Sequence, residues 1–385
     1  MIFIKNGHIY TMAGEVIENG SILIENGKIV GVGPNLVAPD EAEVIDAKGK
    51  MVTPGFVDAH CHLGLFEESI GFEGSDGNEM TDPVTPQLRA IDAINPMDIS
   101  FKEAYEGGVT TAVTGPGSAN VIGGTFLALK TYGHRVDDMI IKDPVAMKIA
   151  FGENPKRVYN SQKKSPMTRM ATASILRETL FKAKTYMDKK ESKEEDAKMP
   201  DYDMKMEAMI PVLKREIPVK AHAHRADDIF TALRIAKEFN IDITLDHCTE
   251  GHLIAEELAK EGKSAIVGPS LGSRSKFELQ NKTFDTPRVL VEAGVKIAIT
   301  TDSPVIPLHY LPLCAGLAHK SGLSEMEALK AITISAAEII GLQDRVGSIE
   351  PGKDADIVIF EGNPIKDVDH HTFMTIIDGK IVYRR

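Results

Sequence analysis

Two histidines one residue apart, His60 and His62, close the apolar run VTPGFVDAHCHLGLFEE at positions 52–68. In an extended strand the side-chain period is two, so both imidazoles face one side where the strand gives way to a loop. A strand offers a metal ion two ligands in this way, and imidazole is the commonest metal ligand. The spacing recurs in VKAHAHRADD with His222 and His224, and two further apolar runs end in His247 (ITLDH) and Asp302 (IAITTDSP). Histidines used as core filler would be scattered between both ends of the strands, whereas these gather at one end. The chemistry such a set supports is hydrolysis. A divalent ion lowers the pKa of a bound water to about 7 and polarises a carbonyl, while a carboxylate such as Asp302 accepts the proton and passes it to a leaving nitrogen. The plainer alternative for Asp302 is an N-cap or turn residue ahead of Ser303 and Pro304.

These residues need a frame that brings strand ends together. The runs MVTPGFVDAH, GVTTAVTG, DPVAMKIAFG, IPVKAHAH, IDITLDH, KSAIVGP and VKIAITTD alternate with stretches of helical periodicity such as RADDIFTALRIAKEF and LIAEELAKEG. Short runs apolar on both sides fit a parallel sheet covered by helices. Over roughly 290 residues the alternation predicts an α/β fold, a (β/α)8 TIM-like barrel whose site lies at the C-terminal strand ends. Seven strands are legible, and the eighth is expected within 121–141. The two ends of the chain read differently, as short β runs with Asn-Gly at 6–7, 19–20 and 26–27 and Asp-Gly at 378–379 marking hairpins. Residues 1–52 and 346–385 are therefore expected to form one small β-sandwich from both termini, with the barrel spanning 53–345. The charged segment 185–208 reads as a solvated helix with a flexible break at Pro200.

Composition excludes several classes of function. A formal net charge of −12 argues against a nucleic-acid surface, which needs a basic patch. No apolar run approaches the roughly 20 residues of a membrane span, and MIFIKNGHIYTM lacks the features of a signal peptide. The cysteines, Cys61, Cys248 and Cys314, are odd in number and far apart, which favours a reducing compartment, the cytoplasm. Alternation turns the Cys61 and Cys248 thiols away from the neighbouring histidines, so both read as small core residues. The expected partner is a small-molecule substrate, with a homo-oligomer, by default a dimer, as the expected assembly.

The order His-x-His, a mid-chain ligand, His, His and Asp resembles the amidohydrolase superfamily. TPGFVDAHCHLG, paired far downstream with VGSIEPGKDADIVIFEGNP, is similar to imidazolonepropionase-related members over nearly the whole chain. The resemblance implies a metal-bound barrel with a small β-sandwich and hydrolysis of C–N bonds. It makes His60 and His62 the strand-one ligands and His222 the strand-five ligand. His247 becomes a second-metal ligand or a substrate contact, and Asp302 the strand-eight carboxylate that both touches metal and moves the proton. The bridging position stays open between Lys148, which resembles the carbamylated strand-four lysine of binuclear relatives, and Glu153, which resembles a strand-three glutamate ligand; a mononuclear site needs neither. The implied cofactor is one or two divalent ions, zinc first, with iron, manganese or nickel as alternatives.

Substrate recognition is thinner in the sequence. His224, Arg225, Lys156 and Arg157 can hold a carboxylate. TGPGSANVIGGT lacks the Lys-Ser/Thr ending of a P-loop and reads as a tight βα loop lining the pocket. The acidic segment 67–87 is a candidate lid. The expected function is metal-dependent cleavage of a C–N bond in a small amide or cyclic amide, with a carboxylate on the substrate. The alternatives are a deaminase of an amino-heterocycle on the same scaffold and a catalytically idle binding relative.

Overall fold

The computed structural model describes residues 1–68, 70–193 and 198–385. Among these residues sixteen strands fall into two sheets. The first takes β1 (Ile2–Ile9), β2 (Ile17–Glu25), β3 (Lys28–Gly33), β4 (Glu43–Asp46) and β5 (Met51–Pro54) from the N-terminus, and β14 (Ile357–Glu361), β15 (His371–Ile377) and β16 (Lys380–Arg384) from the C-terminus. They lie in the order β16-β15-β14-β5-β1-β2-β3, with β4 beside β1. Ile4, Ile22, Ile357 and Ile376 pack in the core of this sheet.

Two of the four turn signals close hairpins. Asn26, left-handed at φ 50°, turns β2 into β3, and Asp378, at φ 47°, turns β15 into β16. The other two do not. Asn6 and Asn19 are left-handed as well, but they sit inside β1 and β2, where the register slips on both sides of the Gly7–Gly20 pair. Each places a bulge in a continuing strand, a use of the left-handed conformation that a sequence pattern does not separate from a turn.

The second sheet holds β6 (Phe56–Cys61), β7 (Val109–Thr114), β8 (Ile122–Lys130), β9 (Ile140–Ala150), β10 (Val219–Ala223), β11 (Ile243–His247), β12 (Ala265–Val267) and β13 (Ile297–Ile299). It is a nearly closed barrel. The seam between β13 and β6 is stitched by the Thr301 N–H on the Asp58 carboxylate (3.0 Å), the His62 N–H on the Ser303 carbonyl (2.7 Å) and the Thr300 hydroxyl on the His60 carbonyl. The eighth strand lies within 121–141 as expected, but it corrects the regular (β/α)8 reading, because β8 is antiparallel to both β7 and β9. The connecting segments 115–121 and 131–139 are shorter than the dozen or so residues that a parallel crossover needs. The run MVTPGFVDAH is likewise two strands, β5 in the first sheet and β6 in the barrel, parted at Gly55.

The helical readings hold at Ala226–Phe239 and Ala255–Glu261. The segment 185–208 is not one helix. A helix from further upstream, Arg169–Lys190, ends there, and another, Met204–Leu213, begins at Asp203, whose carboxylate accepts the Lys205 and Met206 N–H groups. The expected break at Pro200 falls in the non-helical stretch between them, of which residues 194–197 lie outside the described residues. Among the described residues no helix is long and apolar enough to cross a membrane.

Candidate active site

The frame for the site is built by Asp58, one turn of the pleat before His60. One of its oxygens accepts the His60 N–H (3.0 Å) and the other accepts the Thr301 N–H and hydroxyl (3.0 and 2.7 Å), so the end of β6 is fixed to the chain just before Asp302. Asp58 is completely buried, and burial raises its carboxyl above the ordinary range. Asp302 (φ 54°), His247 (φ 74°) and Cys248 (φ 46°) all adopt the left-handed conformation. That region is uncommon for residues other than glycine, asparagine, aspartate and histidine, so Cys248 is the least expected of the three.

Hydrogen bonds set which face each imidazole presents. His62 Nδ1 lies 2.6 Å from the Gly115 carbonyl and His247 Nδ1 lies 2.7 Å from the Gly268 carbonyl. A carbonyl only accepts, so both Nδ1 atoms carry the proton and both Nε2 lone pairs face the barrel mouth. His224 Nδ1 meets the Thr249 hydroxyl at 2.7 Å. His60 Nδ1 stands 2.8 Å from Asp246 Oδ2, an ion-pair distance outside hydrogen-bond geometry. Asp246 in turn accepts from Lys220 and from the Thr244 hydroxyl, both at 3.2 Å. Carboxylate, carbonyl and hydroxyl partners of this kind orient metal-ligating histidines.

Two groups of side chains result, His60, His62 and Asp302 in one and His222, His224 and His247 in the other, and within each the potential ligand atoms lie within 4.8 Å of one another. Asp302 Oδ1 is 3.2 Å from His62 Nε2 and 3.5 Å from His60 Nε2. Lys148, fully buried, brings its Nζ to 3.3 Å from His60 Nε2. Burial drives the Lys148 ammonium down to about 8. Burial also lowers His60, His222 and His224, and takes His247 to about 4. Asp302 moves the other way from what burial alone would do, because His247, His60 and His62 hold it well below the ordinary carboxylate range. At neutral pH His60, His222, His224 and His247 are therefore neutral and Asp302 is ionised, the protonation states that metal ligands need. Asp302 Oδ1 and His222 Nε2 are buried without a hydrogen bond. Buried polar atoms are ordinarily satisfied, and a cation bound at the mouth would supply the partner that these two lack. The donor set fits a divalent ion.

The groups open on a cavity of about 510 Å³ lined by His62, His222, His224, His247 and Asp302. Gly117 and Ser118 of the glycine-rich run line it too, on a loop between strands β7 and β8 rather than between a strand and a helix. Asn78, from the candidate lid, also reaches it.

Of the four residues expected to hold a substrate carboxylate, His224 alone lines this cavity. Arg225 is bound in a fork by Asp227 (3.0 and 2.9 Å) and lies over the Phe277 ring. Lys156 and Arg157 belong to the helix Glu153–Ser161, which buries Pro155 and Tyr159 and so carries those two cations on other faces. The cations that do line the cavity are Lys276 and Lys282. Glu153 belongs to neither ligand group. Its Oε1 accepts the Glu278 N–H and its own N–H donates to Glu278 Oε2, both at 2.9 Å. Cys61 and Cys248 are buried core residues.

Sequence reasoning missed Asp58, Asp246, Lys220, Lys276 and Glu278. Asp58 and Asp246 lie within the motifs already singled out, two residues and one residue before a candidate ligand histidine. Glu278 has no such signal, since it reaches the site from a segment remote in sequence.

A profile of the amidohydrolase family matches residues 51–382. A structure of an amidohydrolase from Thermotoga maritima MSB8 is 45% identical, with a TM-score of 0.97 and full coverage of both chains. The imidazolonepropionase of Geobacillus kaustophilus is 29% identical over 90% of this chain and 84% of its own length. The amidohydrolase tasK of Hapsidospora irregularis is also 29% identical over 90% of this chain, which spans 38% of that protein. With this match over most of its length and the ligand groups at the barrel mouth, the chain belongs to the amidohydrolase family, as an imidazolonepropionase-related hydrolase acting on carbon–nitrogen bonds.

Proposed function

We propose that the protein cleaves the C–N bond of a small amide or cyclic amide bearing a carboxylate, using one or two divalent ions held by His60, His62, His222, His247 and Asp302. The observation that carries the reading is the convergence of the two ligand groups on one cavity, with orphaned buried atoms in both. Imidazole with carboxylate suits zinc first, and iron, manganese or nickel as well. A bound divalent ion supplies an acidified water and a Lewis acid for the amide carbonyl. Asp302, ionised and facing the strand-one histidines, takes the proton of the attacking water and returns it to the departing nitrogen.

Lys148 is favoured over Glu153 as the bridge, because Lys148 stands against His60 while both Glu153 polar groups described above are engaged by Glu278. Its neutral amine adds carbon dioxide with formation of one N–C bond and release of one proton, leaving a carbamate with two oxygen donors. The substrate carboxylate is met by Lys276, whose Nζ has a single charged neighbour, Glu278 at 3.6 Å, among the described residues. Lys282 is tied to the Gly272 and Ser273 carbonyls. We also read residues 1–52 and 346–385 as one small β-sandwich supporting a barrel over 53–345, and the cytoplasm as the place of action.

The test is elemental analysis of purified protein combined with reconstitution of chelated protein in the presence and absence of bicarbonate. Two equivalents per chain, with loading dependent on bicarbonate, support a binuclear centre bridged by Lys148. One equivalent independent of bicarbonate supports a mononuclear centre in which His247 contacts substrate. Failure to bind any divalent ion overturns the reading. Release of ammonia from amino-heterocycles, without formation of a new carboxylate from amides, would replace amide hydrolysis by deamination.

A further inference from the structure

Glu278 is fully buried in the short 3-10 helix Phe277–Leu279 between β12 and β13, and the proposed centre makes no use of it. Its Oε2 is fixed by the Glu153 N–H, and its own N–H is fixed by Glu153 Oε1. Gly152, at φ 80°, allows this approach: a Cβ there would stand 2.5 Å from Glu278 Oε2. The carboxylate is therefore held by one oxygen while the other, Oε1, is buried without any hydrogen bond.

Three nitrogens surround Oε1, His224 Nε2 at 3.8 Å, His222 Nε2 at 3.9 Å and Lys276 Nζ at 3.6 Å. His222 Nε2 is itself a buried orphan, and His224 has its other nitrogen on Thr249. These separations are too long for hydrogen bonds. Donors that share one tetrahedral zinc stand roughly 3.3–3.5 Å apart, given metal–ligand lengths near 2.1 Å, so a contraction of a few tenths of an ångström would bring Glu278 Oε1 and either histidine nitrogen to that spacing, and the ligand atoms of His222 and His224 lie within 4.8 Å of each other. The side chain of Lys276 is 23% exposed at the cavity wall and can move aside.

We infer that Glu278, His222 and His224 form a divalent-cation position in which Glu278 is a direct carboxylate donor and Lys276 is the resident competitor. The inference rests on the metal reading above through the shared His222, and extends the donor set beyond it. A cation arriving at this position displaces the Lys276 ammonium from Glu278 and leaves it facing the cavity, where a substrate carboxylate would meet it.

The test is titration of the chelated full-length protein with cobalt(II), read by equilibrium dialysis and by visible absorption, for the parent, Glu278→Gln and Lys276→Met. The expected results are loss of one equivalent, or at least about tenfold weaker binding, with a changed absorption band in Glu278→Gln, and tighter binding of the same equivalent in Lys276→Met. A buried residue with only a structural role would not produce opposite shifts in the two variants. Should the parent bind cobalt while Glu278→Gln matches it in number, affinity and spectrum, the inference is overturned and the metal reading stands. A parent that binds no cobalt overturns both. If Glu278→Gln does not fold, Lys276→Met decides, since binding no tighter than the parent overturns the inference.

Discussion

Two buried lysines sit at opposite kinds of place in this molecule. Lys130, at the end of β8, has Asp356 at 2.5 Å, Asp354 at 3.0 Å and Asp378 at 3.2 Å, and so ties the barrel to the sheet formed by the chain termini. Asp354 also takes Lys28 and Arg345, at 2.6 and 2.7 Å. Lys148, at the mouth, has no carboxylate within ion-pair distance among the described residues, only His60 at 3.3 Å. Burial pushes both ammonium groups down. Around Lys130 the three aspartates outweigh that effect and raise it, whereas Lys148 is left at about 8. A buried charge surrounded by its complement is architecture. One left under-compensated, beside orphaned Asp302 Oδ1 and His222 Nε2, marks a place where another species completes the set.

The comparison makes opposite demands on the two places. Asp302→Asn removes the proposed proton acceptor at the mouth and should reduce turnover of an amide substrate by about 10²–10⁴-fold. Its melting temperature should hold or fall, since the substitution removes a charge that His247, His60 and His62 favour in the folded state. Turnover within about tenfold of the parent would remove Asp302 from the proton-transfer role. Lys130→Met does the reverse. It leaves Asp354 and Asp356 buried around an uncharged chain, at a cost of about 3–5 kcal/mol in denaturant unfolding, while the metal content of the folded fraction should match the parent. A variant that unfolds with the parent would show that the aspartates are satisfied without Lys130.

The first sheet and the mouth were legible to different depths. His60, His62, His222, His247 and Asp302 were readable because a two-residue period and strand-end placement are properties of the local chain, and the structure gathers them into two groups of which His62, His222, His247 and Asp302 line one cavity. The barrel was readable as alternation, but the direction of β8 was not, since it depends on the lengths of 115–121 and 131–139 rather than on any apolar pattern. Arg225, Lys156 and Arg157 looked like anion binders because they follow strand ends. Their directions are set by Asp227 and by the face that Tyr159 buries, contacts that charge alone does not reveal. Glu278 reaches the site across 125 residues to pair with Glu153, and such a juxtaposition exists only once the barrel has closed.

Asp246 belongs to both kinds of place, which makes it the finest test of the distinction. One oxygen is paired with Lys220 at 3.2 Å in the barrel interior, and the other faces His60 Nδ1 at 2.8 Å. Burial alone would raise its carboxyl, but Lys220 and His60 hold it well below the ordinary range. Asp246→Asn keeps the shape and an acceptor oxygen while removing the charge that both partners feel. If Asp246 serves the mouth by orienting His60, affinity for a divalent ion should fall by about 10–100-fold, measured by competition against a chelator. If its service is to Lys220 alone, metal affinity will match the parent and the loss will appear entirely in unfolding. A fall in both would mean that the interior and the mouth share one charge network through this residue, with the satisfied side setting the geometry that the unsatisfied side uses.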